Sequence, residues 1–395
     1  MKKAALPILI LLLLAPLSLT AQSPAVFEAA GNYYQILSEV STEHAVHTAK
    51  NLDALFNTYN SYFRFDAAKL PEKLKVRIMA NKQRYDEYLH RFVPRSRDDF
   101  TYLHYTDPAR CELVGYAGDE SSFRLALNHQ AFIQFLRAFV PNPPIWMREG
   151  FAVYFENTVF DPGTEKIHFQ ENLAWLDTLK AMAANKGEKL MPIQDIMRIG
   201  ADGVRENLES FYPQAWGIVS FLTNTKDQNY SRLLWDSITT LQASATLEEN
   251  GDNVYERVFK WYNERTLAAD FIGYIESRKS FRSLVQDGIS LYSSNSLEEA
   301  EKNFREAITL DGNTFVPYYY LGLIDYARKD YSAADKEYTR ALEKGAQSAL
   351  IYYAMGINAL ADGRPDAALD YLKKAGEADP AYKQKAEDLA KRIKR

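Results

Sequence analysis

The sequence predicts two architectures in one chain: an α+β domain, a small sheet followed by helices, and then an all-α solenoid of helical repeats. Three observations point there. Short segments with strand alternation crowd the first third and helical patterns fill the middle, the order of an α+β fold. Small residues recur at a spacing of 34 through the last third, the period of stacked helix pairs. An apolar run behind two lysines opens the chain and reads as a leader outside the fold.

That leader comprises Lys2 and Lys3, an apolar core over residues 4–19, and Thr20, Ala21, Gln22 and Ser23. The core is shorter than the roughly 20 residues of a membrane span, so a secretory signal cleaved near Ala21 is expected, with an uncleaved anchor as the second option. No cysteine lies near that point to carry a lipid, and no later stretch approaches spanning length. The expected division is a signal peptide over 1–21, an α+β domain over 22–280 and repeats over 281–395, in an exported protein, periplasmic or extracellular.

Residues 32–39 read as a strand, and Thr42 as the cap of a helix reaching about residue 62 on apolar positions Val46, Leu52, Leu55, Phe56 and Tyr59. Residues 74–79 alternate, with Val76 and Ile78 on one face, and residues 82–92 form a helix. Further strands are expected over 101–105, 112–116 and 122–125. From residue 128 to about 280 the pattern is helical, broken by turns at Asp161-Pro162-Gly163, Asn185-Lys186-Gly187 and Asn250-Gly251-Asp252.

Composition narrows the function. Lysine and arginine number 47 against 52 acidic residues, a net charge of −5, which gives no electrostatic footprint for nucleic acid. The only cysteine, Cys111, rules out an internal disulfide and is expected as a small buried hydrophobe in a strand-like segment.

In the last third, Gly288, Gly322 and Gly356 share the 34-residue spacing, as do Ala300, Ala334 and Ala368, the large residues Phe304, Tyr338 and Leu372, and Ala307, Ala341 and Ala375. Small residues let paired helices approach, and the large one fills the gap between them; this is the pattern of tetratricopeptide repeats. Three repeats are expected, then a charged capping helix over 383–395. Tyr319, Leu323 and Tyr326 in the second unit and Tyr353 and Ile357 in the third would line a concave surface for a protein or peptide partner. Ile289, Leu323 and Ile357 stand where repeats that clamp a free carboxyl terminus use asparagine, which argues against that ligand.

Chemistry concentrates at residues 128–156, NHQAFIQFLRAFVPNPPIWMREGFAVYFE. A zinc hydrolase needs two imidazoles one helical turn apart, a carboxylate beside the first as general base, and a third ligand from a following helix. His129 stands alone here. Gln130, beside it, cannot accept a proton from metal-bound water, and Ile133, four residues on, has no lone pair to offer. Glu149 falls on the next helix, where a third ligand would sit. His44 and His47 share a helix face at a spacing compatible with metal, but Glu43, Thr48 and Lys50 mark that face as solvated; His90, His104 and His168 lack ligand-like neighbours.

The WMREGFAVYFE segment, a helix about twenty residues upstream and a later FYPQAWGIVSFL resemble the peptidase-MA-like gluzincins, thermolysin-related domains of exported bacterial proteins. The resemblance covers residues 26–281. In that family the upstream helix carries HExxH, and the glutamate of W-x-x-E-G-x-A-x-Y is the third zinc ligand. It implies that His129 matches the first ligand and Glu149 the third, while Gln130 and Ile133 depart from the base and the second ligand; Tyr212 stands where the family often has an oxyanion-donating tyrosine. The expectation is an exported, non-catalytic pseudopeptidase without catalytic residues, metal or other cofactor, with His129, Gln130, Glu149 and Tyr212 vestigial, that binds protein or peptide partners in the cell envelope through its repeats and former cleft. The alternative is an active zinc metallopeptidase with an atypical ligand set, retaining His129 and Glu149 on the metal, Tyr212 in its family role and Glu156 as the nearby carboxylate.

Overall fold

The computed structural model describes residues 25–93, 97 and 100–393, and the leader expected over 1–21 lies outside them. The chain divides into two compact units, residues 1–53 with 72–123 and residues 54–71 with 124–395.

In the first unit, β1 (Phe27–Ala30), β2 (Tyr34–Ser38), the start of α1 (Thr42–Phe63), β3 (Leu74–Met79), α2 (Lys82–Leu89), β4 (Thr101–Leu103) and β5 (Glu112–Tyr116) follow in order. They form a five-stranded sheet ordered β1-β2-β3-β5-β4. Its central pairs are parallel and both edge strands antiparallel. Ile36, Val76, Ile78 and Leu113 are wholly buried, so alternation in β2 and β3 delivers one apolar face as expected.

Several local expectations are corrected. Ser41, not Thr42, caps α1, its Oγ accepting from the His44 amide at 3.0 Å. Val46 is exposed and Thr48 buried, because the inward stripe of α1 in this unit runs through Ala45, Ala49 and Leu52. Residues 122–125 belong to helix α3 (Glu120–Phe139), not to a strand, because the Asp119 carboxylate accepts from the Ser122 amide at 3.0 Å and starts a helix there. Cys111 is only half-buried and ends a 3₁₀ turn, its thiol donating to the Tyr105 carbonyl at 3.3 Å.

In the second unit, α3 continues into α4 (Ile145–Phe155), a hairpin of β6 (Val159–Asp161) and β7 (Lys166–His168), α5 (Leu176–Gly187), α6 (Ile193–Arg198), α7 (Ala201–Glu206), α8 (Leu208–Asn224), α9 (Gln228–Thr240), α10 (Leu247–Val254) and α11 (Glu264–Ser277). The turn at residues 161–163 is thus the tip of a hairpin. The turn expected at Asn250-Gly251-Asp252 lies inside α10, which Thr246 and Glu249 launch as a reciprocal capping box. By contrast, α5 ends where a turn was expected over residues 185–187, at Gly187 with φ of 78°. Tyr59, Phe132, Phe151 and Phe155 build an aromatic core around α3 and α4, with Tyr59 edge-on to Phe132 at 5.2 Å. Gly150 lets α4 and α8 touch: a Cβ there would stand 2.4 Å from the Ala215 carbonyl oxygen.

The repeats are helix pairs, α12 (Phe281–Ser293) with α13 (Leu297–Leu310), α14 (Val316–Ala327) with α15 (Tyr331–Glu343), and α16 (Ser348–Ala361) with α17 (Pro365–Ala378), followed by α18 (Pro380–Ile393). The 34-residue spacing is also that of the backbone. Asn295, Lys329 and Gly363, each in the turn between paired helices, adopt φ of 62°, 64° and 71°. Within each pair the large residue covers the glycine: a Cβ on Gly288, Gly322 or Gly356 would meet Phe304, Tyr338 or Leu372 at 2.8, 2.4 or 3.0 Å. This is a tetratricopeptide-like helical repeat region. Among the described residues no helix is long and apolar enough to cross a membrane.

Candidate functional site

The structure brings His129 and Glu149 together and adds a carboxylate that spacing had offered only as a spare. From α3, the His129 Nδ1 meets Glu156 Oε1 at 2.5 Å, and its Nε2 faces Glu149 Oε2 at 3.5 Å. Glu156 lies seven residues beyond Glu149, two helical turns on, which places both carboxylates along one side of α4 and its end. The other Glu149 oxygen accepts from Arg148 at 2.7 Å. The remaining Glu156 oxygen accepts from the Asn172 side-chain amide at 2.5 Å.

Asn128 fixes the frame. Its amide donates to the carbonyls of Glu156 and Thr158 at 2.9 and 2.8 Å, tying α3 to the end of α4. The Tyr59 hydroxyl donates to the Asn128 carbonyl at 3.1 Å. Sequence reasoning missed Asn128 and Asn172. Asn128 carried a usable signal, an amide on an otherwise apolar helix face; Asn172 carried none.

The electrostatics follow from this geometry. Burial disfavours the charged imidazole, yet Glu149 and Glu156 outweigh it and hold the His129 pKa up at about 9. Burial likewise opposes ionised Glu149, but His129 and Arg148 hold it down at about 2. At neutral pH the centre is therefore an alternating chain of Glu156, imidazolium, Glu149 and guanidinium. Tyr212 is half-buried; burial, and then the Glu149 charge, raise its phenol.

Zinc coordination needs a neutral imidazole and, in catalytic sites, three protein donors. His129 has a carboxylate at each ring nitrogen, and Ile133, 7% exposed, packs in the core. Gln130 is half-buried and offers an amide where a base would stand. Glu156 addresses Nδ1, so it orients the ring and does not share an ion with Nε2. The residues present do not fit a catalytic zinc site, and among the described residues no group of three or more His, Cys, Asp or Glu side chains is arranged to hold a metal.

The histidine pair of α1 is not simply solvated: His44 Nδ1 lies 3.1 Å from Ser38 Oγ, and burial, with His47 adding to it, lowers its pKa.

In the repeats, Tyr319, Leu323, Tyr326, Tyr353 and Ile357 are all half-buried. Tyr319, Leu323 and Tyr326 pack against a cluster containing Tyr338, Ile351 and Met355. Three tyrosines that spacing did not single out join them: Tyr292 and Tyr319 each lie 5.5 Å from Tyr320, and Tyr382 of α18 lies 5.7 Å from Tyr353.

No protein-family model matches the chain, and no curated protein matches it. Among solved structures, residues 41 to the end of MamA from Desulfovibrio magneticus RS-1 are 21% identical over 36% of this chain and 85% of that one, at a TM-score of 0.27. YrrB, described as a TPR protein with an unusual peptide-binding site, is 18% identical over 54% of this chain and 98% of that one, at a TM-score of 0.28. The repeats are defined by the helix pairs themselves and their 34-residue period.

Proposed function

We propose that this chain is an exported, non-catalytic relative of the gluzincin peptidases, with a leader over 1–21, a degenerate peptidase-like domain over 22–280 and a repeat domain over 281–395. It binds protein or peptide partners in the cell envelope through the concave face of the repeats and the former catalytic cleft. The observation that carries the reading is His129, flanked on both ring nitrogens by carboxylates and held as the cation: an ion-pair chain stands where this peptidase class would hold its metal. The half-buried aromatic row on the repeats supports the binding role, since tyrosines supply large contact area at low entropic cost.

Recovery of partners from envelope extract tests the binding claim. Tyr319→Ala together with Tyr353→Ala is expected to remove most of what the wild-type chain recovers, and unchanged recovery contradicts it. One observation favours the second reading, an active zinc peptidase: the 3.5 Å between His129 Nε2 and Glu149 Oε2 is close to the roughly 3.3 Å that two ligands of a tetrahedral zinc keep between them. A zinc-loaded sample that cleaves peptides would establish it.

A further inference from the structure

A groove of about 610 Å³ runs between α17 and α18, floored by Leu369, Leu372, Gly376, Ala386 and Ala390 and rimmed by charged residues such as Lys373 and Glu387. Its chemistry follows from the preceding unit. Leu369, Ala386 and Ala390 stand 34 residues after Asp335, Tyr352 and Gly356, and each of those earlier positions is touched by α17 or by the residue that caps it. Arg364 pairs with Asp335 at 2.7 Å, Tyr371 stacks on Tyr352 with centroids 6.4 Å apart, and Leu372 lies over Gly356. The groove therefore repeats the surface that receives the second helix of a pair, and among the described residues no helix occupies it.

We infer that this groove receives an amphipathic helix of another protein, in the place the second helix of a further repeat would take. The helix it fits carries one large apolar or aromatic side chain with a small residue four positions before and three after, the pattern of Ala300-Phe304-Ala307, Ala334-Tyr338-Ala341 and Ala368-Leu372-Ala375. The large side chain lies over Ala390, and the small ones let the backbones approach. A second folded copy of this chain does not supply such a helix, because Phe304, Tyr338 and Leu372 are themselves at most 1% exposed. A helix satisfies its own backbone hydrogen bonds, so an apolar floor suffices for it where an extended strand would leave polar groups unpaired. The surface lies on α17 and α18 and shares none of Tyr319, Leu323, Tyr326, Tyr353 or Ile357.

The probe is a helix-stapled, fluorescent peptide copying residues 330–345, titrated into the full chain and followed by anisotropy. Saturable binding is expected, weakened about tenfold or more when the peptide's Tyr338 is Ala, because central aromatic anchors dominate such interfaces. Ala390→Phe in the protein fills the groove and is expected to abolish binding; should that variant not fold by circular dichroism, Leu369→Glu takes its place. Absence of saturable binding, or equal binding by the filled variant, overturns the inference. So does a wild-type dimer in sedimentation that Ala390→Phe dissociates, which would assign the groove to a second copy.

Discussion

Replacing Glu149 with Gln keeps the shape of the side chain and removes one charge from the middle of the ion chain. His129 and Glu149 side chains are only 16% and 9% exposed, so solvent screens little of the loss. Raising His129 from 6.5 to about 9, and lowering Glu149 from 4.5 to about 2, each correspond to about 3 kcal/mol at roughly 1.4 kcal/mol per pH unit. The two figures share the same attraction and do not add. The expected cost of Glu149→Gln near pH 6 is therefore about 3 kcal/mol, in the range for breaking a buried pair from one side. That lowers a thermal midpoint by roughly 5 °C or more in a unit of this size.

The pH dependence has a definite sign. The raised His129 pKa gives stability that is fully present below about 6.5 and lost as pH rises through about 9; the lowered Glu149 pKa gives stability present above about 4.5 and lost as pH falls through about 2. Thermal melts of wild type and variant should differ most between about pH 4.5 and 6.5, the window between the ordinary values of the two groups, and converge partly at pH 10, where Arg148 alone still favours the carboxylate. A variant as stable as wild type at pH 6, or a gap undiminished at pH 10, would refute the ion-chain account.

Gly322→Val puts a branched side chain where even a Cβ meets the Tyr338 ring at 2.4 Å, and should destabilise the repeats by about 2–3 kcal/mol in thermal melts. Lys329→Gly relieves a left-handed residue at φ 64° and should raise stability by about 0.5–1 kcal/mol; a loss instead would mean that the lysine side chain contributes contacts. Arg278→Met leaves the Glu171 carboxylate, which burial pushes upward, without its 2.7 Å partner. Its destabilisation, about 3 kcal/mol near neutral pH, should shrink in acid as Glu171 takes up a proton.

The strands over residues 74–79 and 112–116 and the helix pairs were legible because their signals are periodic and local. Where reading failed, a cap or a close approach had won. Asp119 turned Ser122–Leu125 into the start of α3, against strand-like alternation. The Thr246–Glu249 capping box carried α10 through Asn250-Gly251-Asp252, and Gly251 is small there because a Cβ would sit 3.2 Å from the Met197 carbonyl oxygen, a close approach and not a turn. At the candidate site, Gln130 and Ile133 already showed that the positions one and four residues after His129 offer neither a proton acceptor nor a metal donor. The clasp of His129 by Glu156, itself held by Asn172, was not legible, since residue 172 reaches the site only through the tertiary path around the β6–β7 hairpin. In the repeats the backbone keeps its period at Asn295, Lys329 and Gly363, although those side chains have nothing in common.

The most direct test is metal analysis of the purified full chain after equilibration with zinc and dialysis, beside the double variant Gln130→Glu, Ile133→His. Wild type is expected to retain substoichiometric zinc, and the variant, with a carboxylate and a second imidazole supplied beside His129, to take up more. Stoichiometric zinc in untreated wild-type protein, together with peptide cleavage that a chelator abolishes, would contradict the claim that an ion-pair chain replaces the metal centre.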